Sequence, residues 1–155
     1  MRVMSKFTRN LVMTVLVFAG ILALTVNPGN SSAGISIESY CQLAMQSMQQ
    51  EVSNFRDLIE IARRYRSAPE TLAQQEKVKQ IQFDQARRYL FSSFGTSAEE
   101  YVTYMGKNGV AVKRYLEANP DINQRIDDLS AQVNSLMQEY ESLKGGSGPP
   151  PPPVR

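Results

Sequence analysis

Hydrophobic residues recur every three or four positions along most of the chain, which is the period of an amphipathic helix. In the first such stretch the apolar positions are separated by steps of 4-3-4-4-3-4-3 and comprise Ile37, Cys41, Ala44, Met48, Val52, Phe55, Ile59 and Ala62. Ser36 is a suitable N-cap, and the residue before Pro69 is disfavoured in a helix. The pattern therefore predicts a long first helix from Ile37 to about Arg66.

A second helix is predicted from Pro69 to about Ser92. Proline is favoured at the first helical position, and the carboxylate of Glu70 suits the positive end of the helix dipole. Gly95 follows the last apolar residues of this stretch and supplies a termination signal.

The third helix begins with a capping box, in which a Ser or Thr precedes a Glu by three residues. Two residue pairs fit this pattern: Thr96 with Glu99, and Ser97 with Glu100. Gly106 and Gly109 follow within the same stretch, and each glycine costs about 1 kcal/mol inside a helix. The pattern predicts a kink or break there, before helix resumes from Val110 to Ala118.

The fourth helix begins at Asn119-Pro120-Asp121, where an N-cap residue, a proline and an acid follow one another. Its apolar positions form a heptad seam with steps of 4-3-4-3-4-3: Ile122, Ile126, Leu129, Val133, Leu136, Tyr140 and Leu143. Such a seam packs against another helix of the same chain or against a second copy in a homodimer. Lys144 and Gly145 close the helix.

Together these elements predict an all-α fold of antiparallel helical hairpins or a small bundle of about four helices, with long first and last helices. Of the 111 residues from 34 to 144, 46 are apolar, which suffices for a modest core.

Both ends of the chain differ from this helical region. Residues 1–33 combine three basic residues, 16 uncharged residues from Leu11 to Val26, and small residues before Gly34. This order predicts a signal peptide cleaved after Ala33 and export to the periplasm or the medium. The alternative is an uncleaved inner-membrane anchor at residues 11–26, although that stretch is shorter than the about 20 residues that span a bilayer. At the other end, residues 145–155 read as a disordered Gly/Ser linker followed by polyproline.

The amino-acid composition limits which catalytic and metal-binding sites the chain can form. The chain has no histidine and a single cysteine, so histidine-dependent nucleophile systems, histidine metal sites and internal disulfides are excluded. We find no nucleotide-binding, hydrolase or calcium-loop motif and predict no enzyme and no cofactor or metal. Without the three basic residues of the signal, 14 basic residues face 15 acidic ones, which argues against nucleic-acid binding.

A short repeat supplies one candidate binding site. Ala62-Arg63-Arg64-Tyr65 recurs as Ala86-Arg87-Arg88-Tyr89, and Lys113-Arg114-Tyr115 is a looser echo. The repeats form either an anion-binding patch for a lipid headgroup or glycan, or sets of cations that complement the dipole in the last turns of helices. The candidate anion-binding residues are Arg63, Arg64, Tyr65, Arg87, Arg88 and Tyr89.

Cys41 also has two interpretations. It lies on the apolar stripe of the first helix, where a free thiol behaves as a small hydrophobe. In an exported protein an odd cysteine can instead form an intermolecular disulfide.

Two tetrapeptides, Leu129-Ser130-Ala131-Gln132 and Leu72-Ala73-Gln74-Gln75, resemble the Leu-Thr-x-x-Gln motif of small periplasmic helical chaperones of the Spy type. Neither tetrapeptide has the threonine, and no residue role is carried over. The resemblance implies a chaperone-like activity as one alternative.

The sequence thus predicts a small exported bacterial helical protein that acts through protein–protein interaction with an unidentified partner. The alternatives are a binder of anionic envelope lipids or glycans that uses the Arg/Tyr repeats, and an adaptor anchored in the inner membrane or acting like a periplasmic chaperone.

Overall fold

The structure, a computed structural model, describes residues 35–145. Within these residues it contains four helices and no strand, which confirms the predicted all-α fold. The helices are α1 (Ile37–Arg64), α2 (Pro69–Ser93), α3 (Ala98–Ala118) and α4 (Pro120–Gly145). The predicted signal segment, with its apolar stretch 11–26, and the tail after Gly145 lie outside the described residues. None of the four helices has an apolar stretch long enough to cross a membrane.

Local signals in the sequence account for the helix ends. The Ser36 hydroxyl accepts a hydrogen bond from the backbone N–H of Ser39 at 3.1 Å, which caps α1. α2 ends before Gly95, whose φ of 68° places it in the left-handed region that suits glycine. Of the two predicted capping boxes, the one at the start of α3 pairs Ser97 with Glu100.

α3 is continuous through Gly106 and Gly109, so the predicted kink or break is wrong. The glycines disfavour helix by about 1 kcal/mol each. That local cost is outweighed because the residues on both sides of the pair bury apolar side chains: Tyr101 before it, and Val112 and Leu116 after it. A break would remove one of these groups from the core.

Alanine at Gly106 or Gly109 is therefore expected to stabilise the protein by about 0.5–1 kcal/mol per site. An added Cβ has open space at Gly106, and at Gly109 it meets the Met105 methyl carbon at an ordinary 3.9 Å. Gly95→Ala is the matched control and should destabilise, because its φ of 68° disfavours a side chain. Urea unfolding measures all three variants, and stabilisation by Gly95→Ala would contradict the assignment.

α1 is the central helix and packs against the other three. α2 returns antiparallel to it, as the hairpin prediction requires. α4 instead runs beside α1 in the same direction, because Ile126 packs near the start of α1 whereas Glu139 pairs with Arg63 near its end. α3 crosses the amino-terminal end of α1, where Tyr101 and Tyr104 stack on Tyr40. This crossing brings the start of α4 back to the start of α1.

Candidate functional site

A cleft lies between α1 and α2 because polar residues replace apolar ones on the surfaces that face each other. On α1, Ser47, Glu51 and Asn54 are spaced four and three residues apart and are all buried. On α2, Phe83 and Arg87 belong to the opposing face, together with Gln80. Polar side chains of this kind do not interdigitate as an apolar core does. The helices consequently leave a cavity of about 420 Å³.

The surface of the cleft is chiefly apolar, and three of its eleven lining residues are aromatic. Phe55 and Leu58 of α1 face Phe83 of α2, and Tyr140 of α4 contributes a third ring. The complete lining is Glu51, Asn54, Phe55, Leu58, Ala73, Glu76, Lys77, Gln80, Phe83, Arg87 and Tyr140. Cavities of roughly 300–1,000 Å³ with apolar walls and a few polar groups are typical of ligand sites.

Glu51 and Arg87 form the charged part of the lining, and both are buried, with 6% and 8% of their surface exposed. Burial raises the pKa of Glu51 to about 7, although the positive charge of Arg87 partly opposes this rise. Arg87 also lies over the Phe83 ring, with its guanidinium carbon 6.0 Å from the ring centroid. The Glu51 carboxyl therefore changes its protonation state near neutral pH.

Asn54 adds an unused hydrogen-bond acceptor. Its side chain is 93% buried, since 7% is exposed, and Oδ1 has no hydrogen-bond partner among the described residues. The hydroxyl of Ser47, about two helical turns earlier on the same face, is buried and unpartnered as well. Buried polar groups are normally paired, and an unpaired one costs about 1–3 kcal/mol. The Oδ1 atom is itself buried, so this unpaired acceptor lowers the stability of the fold where α1 packs.

Contacts at both ends of α2 hold the cleft together. Near the start of α2, Glu76 accepts hydrogen bonds from Tyr140 and from Lys144, the latter at 3.2 Å. Burial, with the neighbouring Glu76 carboxylate, raises the pKa of Tyr140 to about 12, so its hydroxyl remains a donor. Near the end of α2, Leu90 and Phe91 enter the main core. The cleft extends along α2 from Ala73 to Arg87, and Glu76 is itself part of its lining.

The structure does not bring the Arg/Tyr repeats together. Arg63 pairs with Glu139 at 2.6 Å, and Arg64 pairs with Glu60 at 2.5 Å. Arg87 lies instead beside Glu51, twelve residues before Arg63 on α1, which corresponds to about 18 Å along a helix. Tyr65 is half-buried, and Arg88 and Tyr89 are exposed.

The repeats were also predicted to place their basic residues in the last turns of helices, and this is true of only one repeat. Arg63 and Arg64 occupy the last turn of α1. α2 and α3 continue beyond Arg88 and Arg114 and have no basic residue in their last turns, so for these two the prediction is wrong. The local motif could not reveal how far the following residues continue the helix.

Cys41 lies in the core with a free thiol. Burial raises its pKa to about 11, which keeps the thiol protonated and unreactive at neutral pH. This geometry favours the small-hydrophobe interpretation over an intermolecular disulfide.

The α4 seam packs within the chain. Ile126, Val133 and Tyr140 are buried, and the four other seam residues are half-buried against the same two apolar clusters. Those four are Ile122, Leu129, Leu136 and Leu143. A homodimer formed through this seam would require α1 to leave it, and dimerisation stays a prediction.

Sequence reasoning missed Glu51 and Asn54 as site residues. A signal for them was present: the polar positions Ser47, Glu51 and Asn54 follow the helical period alongside the apolar stripe of α1. Their burial could not be anticipated, because it depends on where α2 packs.

Residues 35–145 contain no group of three or more acidic or cysteine side chains placed to hold a metal ion. Comparison of the chain with protein-family models, with curated proteins and with solved structures finds no match.

Proposed function

We propose that this chain is an exported helical protein that acts by binding another protein, with the α1–α2 cleft as the contact site. The observation that carries the proposal is a largely apolar cleft that includes three aromatic rings and three buried polar side chains, those of Glu51, Asn54 and Arg87. Pockets of this kind receive the anchoring side chain of a partner, which supplies most of the binding free energy in many interfaces.

The outer surface of α2 gives independent support. Val78 and Ile81 are 50% and 49% exposed, and Tyr89 is 79% exposed. These three large hydrophobic residues lie on the helix that also forms one wall of the cleft. Neighbouring exposed apolar residues are typical of interaction surfaces. A partner anchored in the cleft would have this surface beside it.

Anion binding by the Arg/Tyr repeats has less support, because the repeats are separated and Arg63 and Arg64 are engaged in ion pairs. A chaperone-like protein or an anchored adaptor would also bind proteins. A chaperone-like protein would differ from the proposal by binding many partners. An anchored adaptor would differ by retaining residues 11–26.

Site-specific photo-crosslinking in cells that export the protein tests the proposal. A photoreactive amino acid replaces exposed Lys77 at the rim of the cleft, or exposed Gln132 on α4 as the matched control. We expect protein adducts from position 77 and none from position 132. Phe83→Ala should reduce the adduct by at least about tenfold, the effect of removing an interface anchor. Mass spectrometry of the adduct also reads the first residue of the chain, which is Gly34 if the signal is cleaved.

Equal adducts at the two positions, or none at position 77, would refute the cleft as a protein-binding site. An adduct that retains Met1 would refute release and favour the anchored form.

A further inference from the structure

We infer that the α1–α2 cleft is the docking groove for the chain's own proline run, Pro149–Pro153, and that a partner must displace this run in order to bind. The displacement rests on the proposed function, whereas the docking does not. Three observations carry the docking: the place where the last helix ends, the length of the cleft, and the residues that line it.

The last helix ends at the edge of the cleft. Tyr140 of α4 lines the cleft, and Lys144 in the last turn of α4 donates a hydrogen bond at 3.2 Å to Glu76, which is part of the same lining. The segment that follows therefore starts beside the end of the cleft nearest the start of α2. Its first residues, 145–148, are Gly-Gly-Ser-Gly. Glycine adopts both signs of φ, so this linker permits the reversal that the chain needs to enter the cleft.

The cleft and the proline run have matching lengths. The cleft extends along α2 from Ala73 to Arg87, which is about 21 Å of helix. Five prolines in a polyproline II helix extend over about 16 Å. The stretch from Lys144 to Pro149 reaches up to about 17 Å, so it is long enough to place the first proline inside the cleft.

The lining has the chemistry that proline-rich segments use. Phe55, Phe83 and Tyr140 place one ring on each of three helices, and grooves that contain aromatic rings bind polyproline II segments. Proline has no backbone N–H, so the run brings carbonyl acceptors and no donors. Gln80 on the lining has two side-chain N–H groups and, among the described residues, donates one of them, to Asp84. The other N–H is a donor for a proline carbonyl.

The covalent tether makes a weak contact sufficient. A short flexible linker holds a segment at an effective concentration of about 1 mM. A run with a Kd of about 0.1 mM would then occupy the cleft in roughly nine molecules out of ten. Because prolines already favour the polyproline II conformation, docking costs little further ordering. A partner competing for the same cleft would bind about tenfold more weakly than it binds an open cleft.

Photo-crosslinking of the purified full chain tests the docking without any partner present. The photoreactive amino acid replaces Lys77 at the rim of the cleft, or exposed Gln132 of α4 as the matched control. Position 132 is about 18 Å along the helix from Lys144, so the proline run can reach both positions. Trypsin cleaves after Lys144 and Arg155 and releases residues 145–155 as one peptide. We expect this peptide in an intrachain adduct that is at least about tenfold more abundant from position 77 than from position 132.

Three variants distinguish docking from mere proximity. Serine at all five positions of Pro149–Pro153 keeps the length of the segment but removes the proline rings, and Phe83→Ala removes a ring from the cleft. Each change should lower the adduct at position 77 by about tenfold. Tyr89→Ala removes a ring of α2 that is 79% exposed and outside the cleft, and it should leave the adduct unchanged. The serine variant leaves the four helices intact, so it decides the result even if Phe83→Ala loses helicity by circular dichroism.

Equal adducts in the unmodified protein and the serine variant, or no adduct at position 77, would overturn the docking. A mixture of isotope-labelled and unlabelled protein identifies adducts between two copies, and a predominance of these would overturn docking within one chain.

The displacement is tested in cells that export the protein. The serine variant should increase the partner adduct at position 77 by up to about tenfold, because the competing run is gone. An unchanged yield would refute the displacement. Absence of any partner adduct would refute the proposed function and the displacement together, whereas the purified protein alone decides the docking.

Discussion

Tyr40→Ala is expected to lower the free energy of unfolding by about 3–5 kcal/mol, the range for deleting a buried aromatic side chain. Tyr40 is 2% exposed, and its ring stacks on those of Tyr101 and Tyr104 with both centroid distances at 4.6 Å. Its removal leaves a cavity and takes away the principal aromatic contact between α1 and α3. Urea denaturation followed by circular dichroism measures the change.

Tyr89→Ala is the matched control, because it deletes the same side chain from a position that is 79% exposed. This control should change stability by no more than about 0.5 kcal/mol. Similar losses in the two variants, or a loss below about 1 kcal/mol for Tyr40→Ala, would contradict the position of α3 across the end of α1.

Glu51→Gln is expected to stabilise the protein at pH 8 by about 3 kcal/mol and to have little effect at pH 4. Burial raises the pKa of Glu51 from 4.5 to about 7 in the folded protein, so the folded state binds this proton more tightly than the unfolded state. The associated stability is fully present below pH 4.5 and is lost as the pH rises through about 7. A shift of this size at about 1.4 kcal/mol per pKa unit gives the stated magnitude.

The measurement compares unfolding free energies of the unmodified protein and the variant at intervals between pH 4 and pH 8. Glutamine carries the shape of the protonated carboxyl without its titration, so the difference between the two curves isolates Glu51. Glu141→Gln removes an exposed carboxylate from α4 and should yield a curve parallel to that of the unmodified protein. Parallel curves for Glu51→Gln as well would refute the raised pKa.

Two residues that line the cleft therefore lower the free energy of unfolding. Glu51 is costly when ionised, and the Oδ1 of Asn54 lacks a partner. Polar groups that weaken a fold without local compensation are commonly found at functional sites. This relation between stability and recognition is the physical basis for placing the site between α1 and α2.

Most helix starts and ends could be predicted from short segments of the sequence. The Ser36 cap, Pro69 at the start of α2 and Gly95 after its end all act through bonds between residues a few positions apart. Local signals failed at the glycines of α3. Their unfavourable helix propensity is outweighed by burial of Val112 and Leu116 in a core that other helices complete.

The candidate site could not be predicted from the sequence, because it too depends on contacts between distant parts of the chain. Arg87 looked like half of an anion-binding repeat, yet in the fold it lies beside Glu51, thirty-six positions away in the chain. The other half of that repeat instead forms ion pairs with Glu60 and Glu139. A motif four residues long specifies a helical face, but it does not specify which other face it will meet.

By itself, the sequence determined that residues 35–145 form four amphipathic helices and where most of these begin and end, because helical hydrogen bonds, caps and apolar periodicity are local properties. Only the tertiary structure decided that α3 is unbroken, that α4 runs parallel to α1, and that Glu51 and Asn54 are buried beside Arg87. Those features depend on which faces of distant helices pack together. Desolvation, which gives Glu51 its raised pKa and leaves Asn54 short of a partner, exists only after that packing has occurred.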